Sequence, residues 1–105
     1  MTSSTLEIQI PTIRAVEVSR TTLTFTVEDG RSVSAPIDWY PRLAAGTVEE
    51  CENWSLIGAG YGAHWPDLDE DISIEALLQG RRSLESERSF RAWLDRRPER
   101  RRPVS

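Results

Sequence analysis

Lysine is absent from this 105-residue sequence, and cysteine, histidine and methionine occur once each. A chain without lysine contains no P-loop, because that motif needs a lysine to contact the bound phosphates. The single cysteine, Cys51, excludes an intrachain disulfide, which suits a reducing compartment. One histidine, His64, and one cysteine do not by themselves provide the nucleophile, base and orienting group of a catalytic triad.

Long hydrophobic runs are also absent. No apolar stretch approaches the roughly 20 residues that a membrane-spanning helix needs. The first ten residues, "MTSSTLEIQI", lack the basic residue and apolar run of a secretory signal. We therefore expect a soluble, cytoplasmic protein.

Charge is unevenly distributed along the chain, whose formal net charge is −4. Residues 1–80 hold four arginines against thirteen acids, whereas residues 81–105 hold nine arginines against four acids. An arginine-rich end could contact phosphates without sequence preference. The candidate phosphate contacts are Arg97, Arg100, Arg101 and Arg102. The alternative is a solvated, disordered tail over residues 98–105, which the polar composition favours.

Period-two hydrophobicity predicts strands in "RAVEVS" and on both sides of the turn in "TLTFTVEDGRSVSAPI". A two-residue turn would place apolar side chains opposite serines. A three-residue loop, 28–30, pairs Phe25 with Val33 and Leu23 with Ala35, so the apolar faces match. This register predicts a left-handed conformation for Gly30.

Two short helices are predicted next. Pro41 favours a first helical turn and Gly46 a helix end, which indicates a helix over residues 41–45. Thr47 and Glu50 have the spacing of a capping box that opens a second helix. Its inward side is expected to carry the following residues: Val48, Cys51 and Trp54 (or Ser55).

Two more helices are predicted toward the C-terminus. Ser73 is a candidate N-cap for a helix that runs to residue 78 and ends at Gly80. A last helix begins near Ser86 and ends before Pro98. Its apolar stripe consists of Phe90, Trp93 and Leu94.

The segment "LIGAGYGAHW" alternates over residues 56–65 and predicts one strand. Tyr61 and Trp65 would then point into the core. The opposite face would be almost bare, so that another chain could approach it closely. The residues of that face are Gly58, Gly60, Gly62 and His64.

Known chemical motifs fail in this part of the chain. The glycines do not match the dinucleotide fingerprint, since its last position is Ala63. Asp67, Asp69 and Asp71 resemble the start of an EF-hand loop, but isoleucine and leucine occupy the glycine and glutamate positions. The acids are better explained as a solvated turn before a helix. We expect no metal, no cofactor, no catalytic residue and no enzymatic activity.

Four segments together resemble one family: "DGRSVSAPIDWYPRL", "GTVEECENW", "IGAGYGAHWPDLDEDISIEALLQG" and "SFRAWL". They are similar, from about residue 14 to 94, to the domain of unknown function 2442 family of small prokaryotic proteins. The most distinctive part is the run from His64 to Asp67 with the acids that follow it. The resemblance implies a compact α+β fold, no established activity, and an antitoxin-like partnership with a neighbouring small protein.

The sequence therefore predicts an α+β fold, in which a small antiparallel sheet with a β-hairpin packs against short helices and a C-terminal helix. Residues 1–13 form an arm or edge strand, 14–80 the core domain, 81–97 the C-terminal helix and 98–105 a disordered basic tail. The preferred function is a protein-binding module. Nucleic-acid binding through the tail and a metal-dependent enzyme at His64 are the alternatives. The candidate interaction surface comprises Gly58, Gly60, Gly62, His64, Asp67, Asp69, Trp39 and Tyr40.

Overall fold

The computed structural model describes residues 10–97, which form two three-stranded antiparallel sheets and four short helices. The strands are β1 (Ile13–Val18), β2 (Thr22–Val27), β3 (Ser32–Pro36), β4 (Ser55–Ile57), β5 (Gly62–Trp65) and β6 (Glu70–Ser73). The helices are α1 (Pro41–Ala45), α2 (Val48–Glu52), α3 (Ile74–Gln79) and α4 (Glu87–Asp95). The predicted fold class is confirmed, and the strands are divided between two sheets.

The first sheet has the strand order β1-β2-β3, and its β2–β3 hairpin has the predicted register. Phe25 lies opposite Val33 and Leu23 opposite Ala35. The three-residue loop ends at Gly30, whose φ of 97° is the left-handed conformation that glycine adopts without steric cost. The requirement that the apolar faces match therefore predicted the register of this hairpin correctly.

The prediction of one continuous strand over residues 56–65 is wrong. Strands β4 and β5 are the two arms of a hairpin, and a single helical turn, Gly58–Gly60, reverses the chain between them. Gly58, Ala59 and Gly60 have positive φ angles of 60°, 61° and 92°. Alternate glycines had suggested a bare strand face, but here they permit a left-handed turn.

This reversal also overturns two expected orientations. Tyr61 follows the turn and is exposed rather than buried in the core. Gly62 is buried, and a side chain at this position would meet Cγ1 of Ile57 at 3.3 Å. The face expected to be bare is therefore covered by Ile57 at Gly62.

Strand β6 was not predicted, because its acidic residues resembled a solvated turn. It pairs with β5, with Trp65 opposite Glu70 and Ala63 opposite Ile72. The tight connection between the two strands includes Asp69, whose φ is 53°. Aspartate tolerates this conformation better than most residues do.

The first two helices match their predicted signals, with one exception. Helix α1 begins at Pro41, and Thr47 and Glu50 form both hydrogen bonds of the capping box of α2. Cys51 is buried as expected, and burial raises the pKa of its thiol to about 11. The inward position predicted for Val48 is wrong, since this side chain is 68% exposed.

The last two helices begin at their predicted caps. The Ser73 hydroxyl accepts a hydrogen bond from the Ala76 amide, and the Ser86 hydroxyl accepts one from the Ser89 amide. Gly80 ends α3 in a left-handed conformation. Of the apolar stripe predicted for α4, Trp93 is buried while Leu94 remains exposed.

Both sheets contribute to one hydrophobic core. Its largest fully buried residue is Trp65, whose indole N–H donates to the Cys51 carbonyl at 3.0 Å. This contact joins the second sheet to α2. Residues 1–9 of the predicted arm and the predicted basic tail, 98–105, lie outside the described residues.

Candidate functional site

The residues of the predicted interaction surface do not lie on one face. Gly58 and Gly60 belong to the β4–β5 turn, and Gly62 lies under Ile57. His64 lies further along β5, next to β6. The single flat surface expected from the sequence is therefore not formed, because it depended on one continuous strand.

The polar residues of that predicted surface have different partners. The His64 ring contacts the Asp71 carboxylate through Nδ1, while Asp67 accepts a hydrogen bond from Asn53 Nδ2 at 3.0 Å. The Asp69 carboxylate lies 3.8 Å from an Arg42 nitrogen. Within residues 10–97, no group of three His, Cys, Asp or Glu side chains could hold a metal ion. The expectation that the chain binds no metal stays a prediction.

Trp39 and Tyr40 lie in the interior or near it. Tyr40 is buried, and its hydroxyl donates to the Arg81 carbonyl at 3.0 Å. Trp39 is partly buried, with the Arg82 guanidinium 5.2 Å from its ring centroid. Both aromatic residues therefore hold the segment that follows α3 against the core, and their predicted role in binding a partner is untested.

A cleft of about 850 Å³ opens beside strand β6. Segment 81–85, which leads to α4, forms one wall, and β6 and α3 form the other. The residues that define its chemistry are Tyr40, Glu70, Ile72, Ala76, Arg81 and Glu85. This combination of apolar walls and a few convergent polar groups is typical of ligand sites.

Arg42 lies at the edge of the cleft and joins three parts of the fold. Its Nε and Nη2 atoms donate to the two oxygens of Glu85 at 2.9 and 2.6 Å. Its Nη1 atom donates to the Leu68 carbonyl at 3.1 Å, and its guanidinium lies 4.9 Å from the centroid of Trp93. The bidentate pair is largely buried and lowers the pKa of Glu85. Arg42 therefore attaches the β5–β6 turn and the start of α4 to α1.

Glu70 lies in the cleft with an unusual pKa. Burial is the main cause that raises the pKa of its carboxyl from 4.5 to about 7, and Arg42 lowers it by a smaller amount. The carboxylates of Glu85, Asp71 and Asp69 raise it further. A carboxyl group that titrates near neutrality in a cleft is a frequent feature of functional sites.

Sequence reasoning missed both Arg42 and Glu70. For Glu70 a signal was present, because Leu68 and Ile72 alternate with exposed acids, and a strand interpretation would have placed Glu70 between two buried side chains. For Arg42 there was none, since its partner Glu85 is 43 residues away in sequence.

Arg97 is the only predicted phosphate contact among the described residues. Its Nη2 atom donates to Glu50 Oε1 at 2.7 Å, and its guanidinium lies 4.6 Å from the centroid of Trp93. Both side chains of this ion pair are largely buried. Arg97 thus anchors the end of α4, while Arg100, Arg101 and Arg102 lie outside the described residues.

The described helices include none that is long and apolar enough to cross a membrane. The cytoplasmic location inferred from the sequence stays a prediction.

Comparison with known proteins identifies the fold and the family of this chain but indicates no activity. A protein of unknown function from Rhodospirillum rubrum matches with a TM-score of 0.63 and 23% identity, over 73% of this chain and 95% of its own. An uncharacterised protein from Chromobacterium violaceum matches with a TM-score of 0.60 and 24% identity, over 77% of this chain and 74% of its own. None of the curated proteins matches. The family model described as "Protein of unknown function (DUF2442)" matches residues 13–83, and the chain belongs to that family.

Proposed function

We propose that this chain is a protein-binding module that pairs an extended segment of a partner protein with the free edge of β4. Unpaired backbone groups at a sheet edge are a template for another strand, and natural proteins usually protect such edges. The single observation that carries the proposal is that β4, among the edge strands of the described residues, has no charge, proline or bulge and exposes the apolar side chains Leu56 and Ile57.

The other three edge strands carry recognised protective features. Strand β1 contains a bulge near Arg14 and the charged residue Glu17. Strand β3 ends in Pro36 and presents serines on its exposed side. Strand β6 carries Glu70 and Asp71. Bulges, prolines and charges each disfavour pairing with another chain.

Strand β4 has the sequence Ser-Leu-Ile, with no charge and no proline. Leu56 is 40% exposed, Ile57 38% and Tyr61, just beyond the turn, 45%. Because β4 is only three residues long, pairing would form few backbone hydrogen bonds. Most of the affinity would therefore come from apolar contact with these side chains.

An antitoxin-like role is the specific form of this proposal. In it, the partner is a small protein encoded beside this chain, and the chain itself catalyses no reaction. Co-expression of the two proteins, followed by affinity purification and size-exclusion chromatography, tests the role. A stable complex supports it, and separate elution of the two proteins contradicts it.

A charge placed on β4 tests the proposed surface. Ile57→Lys puts an ammonium on the edge while its stem can still cover Gly62, so we expect the fold to persist and the partner's Kd to rise at least tenfold. Val48→Lys is the matched control, because Val48 is the more exposed residue and lies on α2. Isothermal titration calorimetry with the purified partner measures both. Equal affinities for the wild type and Ile57→Lys would show that the partner binds elsewhere.

Sedimentation velocity distinguishes a second copy of the chain from a different protein. If β4 pairs with β4 of another copy, the wild type sediments as a dimer and Ile57→Lys as a monomer. That result would replace the hetero-partner in the proposal with the chain itself.

A further inference from the structure

The charged groups around the cleft differ in whether they are already paired. Arg42 and Glu85 form a bidentate ion pair, and Asp71 is bound to His64. Arg82 lies over the Trp39 ring. Most of the charge at the cleft is therefore used to hold the fold together.

The Arg81 guanidinium lines the cleft without a hydrogen bond or ion pair among the described residues, and Glu70 is the one carboxyl group there in the same state. It has no hydrogen bond or ion pair there, and its interaction with Arg42 is only electrostatic. It is partly buried and lies on β6, on the side of the strand that carries Ile72. The cleft thus presents one uncompensated, partly buried carboxyl group.

Apolar surface lies beside this carboxyl. The Tyr40 ring, Ile72 and Ala76 line the same cleft, and its volume of about 850 Å³ is within the range of small-molecule sites. An aliphatic stem could bury its methylene groups against these side chains. Arg42 is not available to an anion, because its Nε, Nη1 and Nη2 atoms already donate to Glu85 and Leu68. Arg81 is exposed to solvent, whereas Glu70 is partly buried in the cleft.

We infer that this cleft binds an ammonium or guanidinium group on an aliphatic stem, with Glu70 as the counter-ion. The inference goes beyond the proposed function, since β6 and β4 are opposite edges of the second sheet. Partial burial removes hydration from the Glu70 carboxylate. A bound cation would offset that loss through a charge-assisted hydrogen bond.

Titration of the ¹⁵N-labelled full chain with agmatine tests the inference by NMR. At pH 8 we expect shifts of amides at the cleft, such as Ile72 and Ala76, that saturate with one site. Glu70→Gln keeps the side-chain size and should weaken binding at least tenfold. Glu75→Gln is the matched control, because Glu75 is exposed on α3 and does not line the cleft.

A second variant keeps the test valid if Glu70→Gln perturbs the fold. Ala76→Leu preserves the carboxylate and fills the space expected for the stem, so it should also weaken agmatine binding. Shifts confined to other surfaces, or equal binding by wild type, Glu70→Gln and Ala76→Leu, would overturn the inference.

The pH dependence gives an independent readout. The groups that interact electrostatically with Glu70 are Tyr40, Arg42, Asp69, Asp71 and Glu85, and Arg81 lines the same cleft. With a Glu70 pKa of about 7, its ionised fraction falls about tenfold from pH 8 to pH 6, while agmatine stays charged. We therefore expect a Kd about ten times higher at pH 6. A Kd that does not change with pH would contradict the role given to Glu70.

Two sources could supply such a cation, and the probes distinguish them. Agmatine and n-butylamine represent free amines, and the peptide acetyl-Gly-Arg-Gly-amide represents an arginine side chain of a protein. Tighter binding of the peptide identifies a protein side chain as the occupant, and tighter binding of agmatine identifies a free amine. Either result supports the cleft as a cation site, and failure of all three probes overturns it.

Discussion

The two sheets and helix α4 are attached to the same core by different interactions. The sheets contribute fully buried apolar residues from several strands, among them Phe25 and Trp65. Helix α4 contributes one buried residue, Trp93, and lies beyond the region that the family model matches. Two largely buried arginine–carboxylate pairs, Arg42–Glu85 and Arg97–Glu50, flank this residue.

This difference shows how a helix with little apolar surface can still be positioned. Both guanidinium groups lie within 5 Å of the centroid of the Trp93 ring, at 4.9 Å for Arg42 and 4.6 Å for Arg97. Buried ion pairs add little net stability, because desolvation opposes the attraction, but removal of one partner is strongly unfavourable. We infer that the pairs set where α4 lies, whereas apolar burial holds the sheets.

Replacing one tryptophan in each region tests this comparison most strongly. Trp65→Ala should reduce the free energy of unfolding by about 3–5 kcal/mol, because a fully buried aromatic residue leaves a large cavity. Trp93→Ala should release α4 while the sheets stay folded. Urea denaturation gives the stability, and hydrogen exchange of α4 amides reports the local release.

The contrary result is a single cooperative unfolding transition in Trp93→Ala, with a loss of unfolding free energy equal to that in Trp65→Ala. Such equality would mean that α4 belongs to the same folding unit as the sheets, and the two regions would then not differ in kind.

Breaking an ion pair should have the next largest effect. In Glu50→Gln the amide oxygen can still accept from the Thr47 N–H, which Glu50 Oε1 binds at 2.9 Å, but the charge opposite Arg97 is lost. We expect destabilisation by about 2–4 kcal/mol, since a largely buried guanidinium is left without its counter-ion. Glu49→Gln is the control, because this neighbouring side chain is exposed and should change stability by less than about 0.5 kcal/mol. Similar urea midpoints for the two variants would show that the pair is unimportant for docking.

Local signals in the sequence predicted the first hairpin and the helix caps, including that of α4, but they missed one turn within the sheets and the contacts that dock α4. The 28–30 loop and the caps at Thr47, Ser73 and Ser86 depend on residues within a few positions of each other, so they could be inferred from spacing. The β4–β5 turn was missed because alternate glycines fit both a strand and a left-handed turn. The pairs that dock α4 join residues 43 and 47 positions apart, and no local pattern encodes such contacts.

The cleft at the boundary between the two regions should contribute a smaller, pH-dependent effect. Because the folded protein raises the pKa of Glu70 to about 7, the unfolded chain loses this proton first as the pH rises above 4.5. The contribution of Glu70 to stability therefore falls between pH 4.5 and 7 and stays low above 7. Glu70→Gln should stabilise the fold by about 1–2 kcal/mol at pH 8 relative to wild type, and by much less at pH 5.

Urea denaturation of both proteins at pH 5 and pH 8 measures this difference. A stability difference that is the same at the two pH values would show that Glu70 is not held at a raised pKa.

Removal of the C-terminal tail should have the smallest effect on stability and separates the anchoring arginine from the other three. A chain ending at Arg97 keeps the ion pair with Glu50, so its urea midpoint should match that of the full chain. A chain ending at Asp95 loses Arg97 and should be destabilised about as much as Glu50→Gln.

If Arg100, Arg101 and Arg102 bind phosphates, the chain ending at Arg97 should also lose DNA affinity and most of its salt dependence. Fluorescence anisotropy with a labelled duplex at several salt concentrations measures this, and equal affinities for the full chain and the chain ending at Arg97 would contradict a nucleic-acid role for the tail.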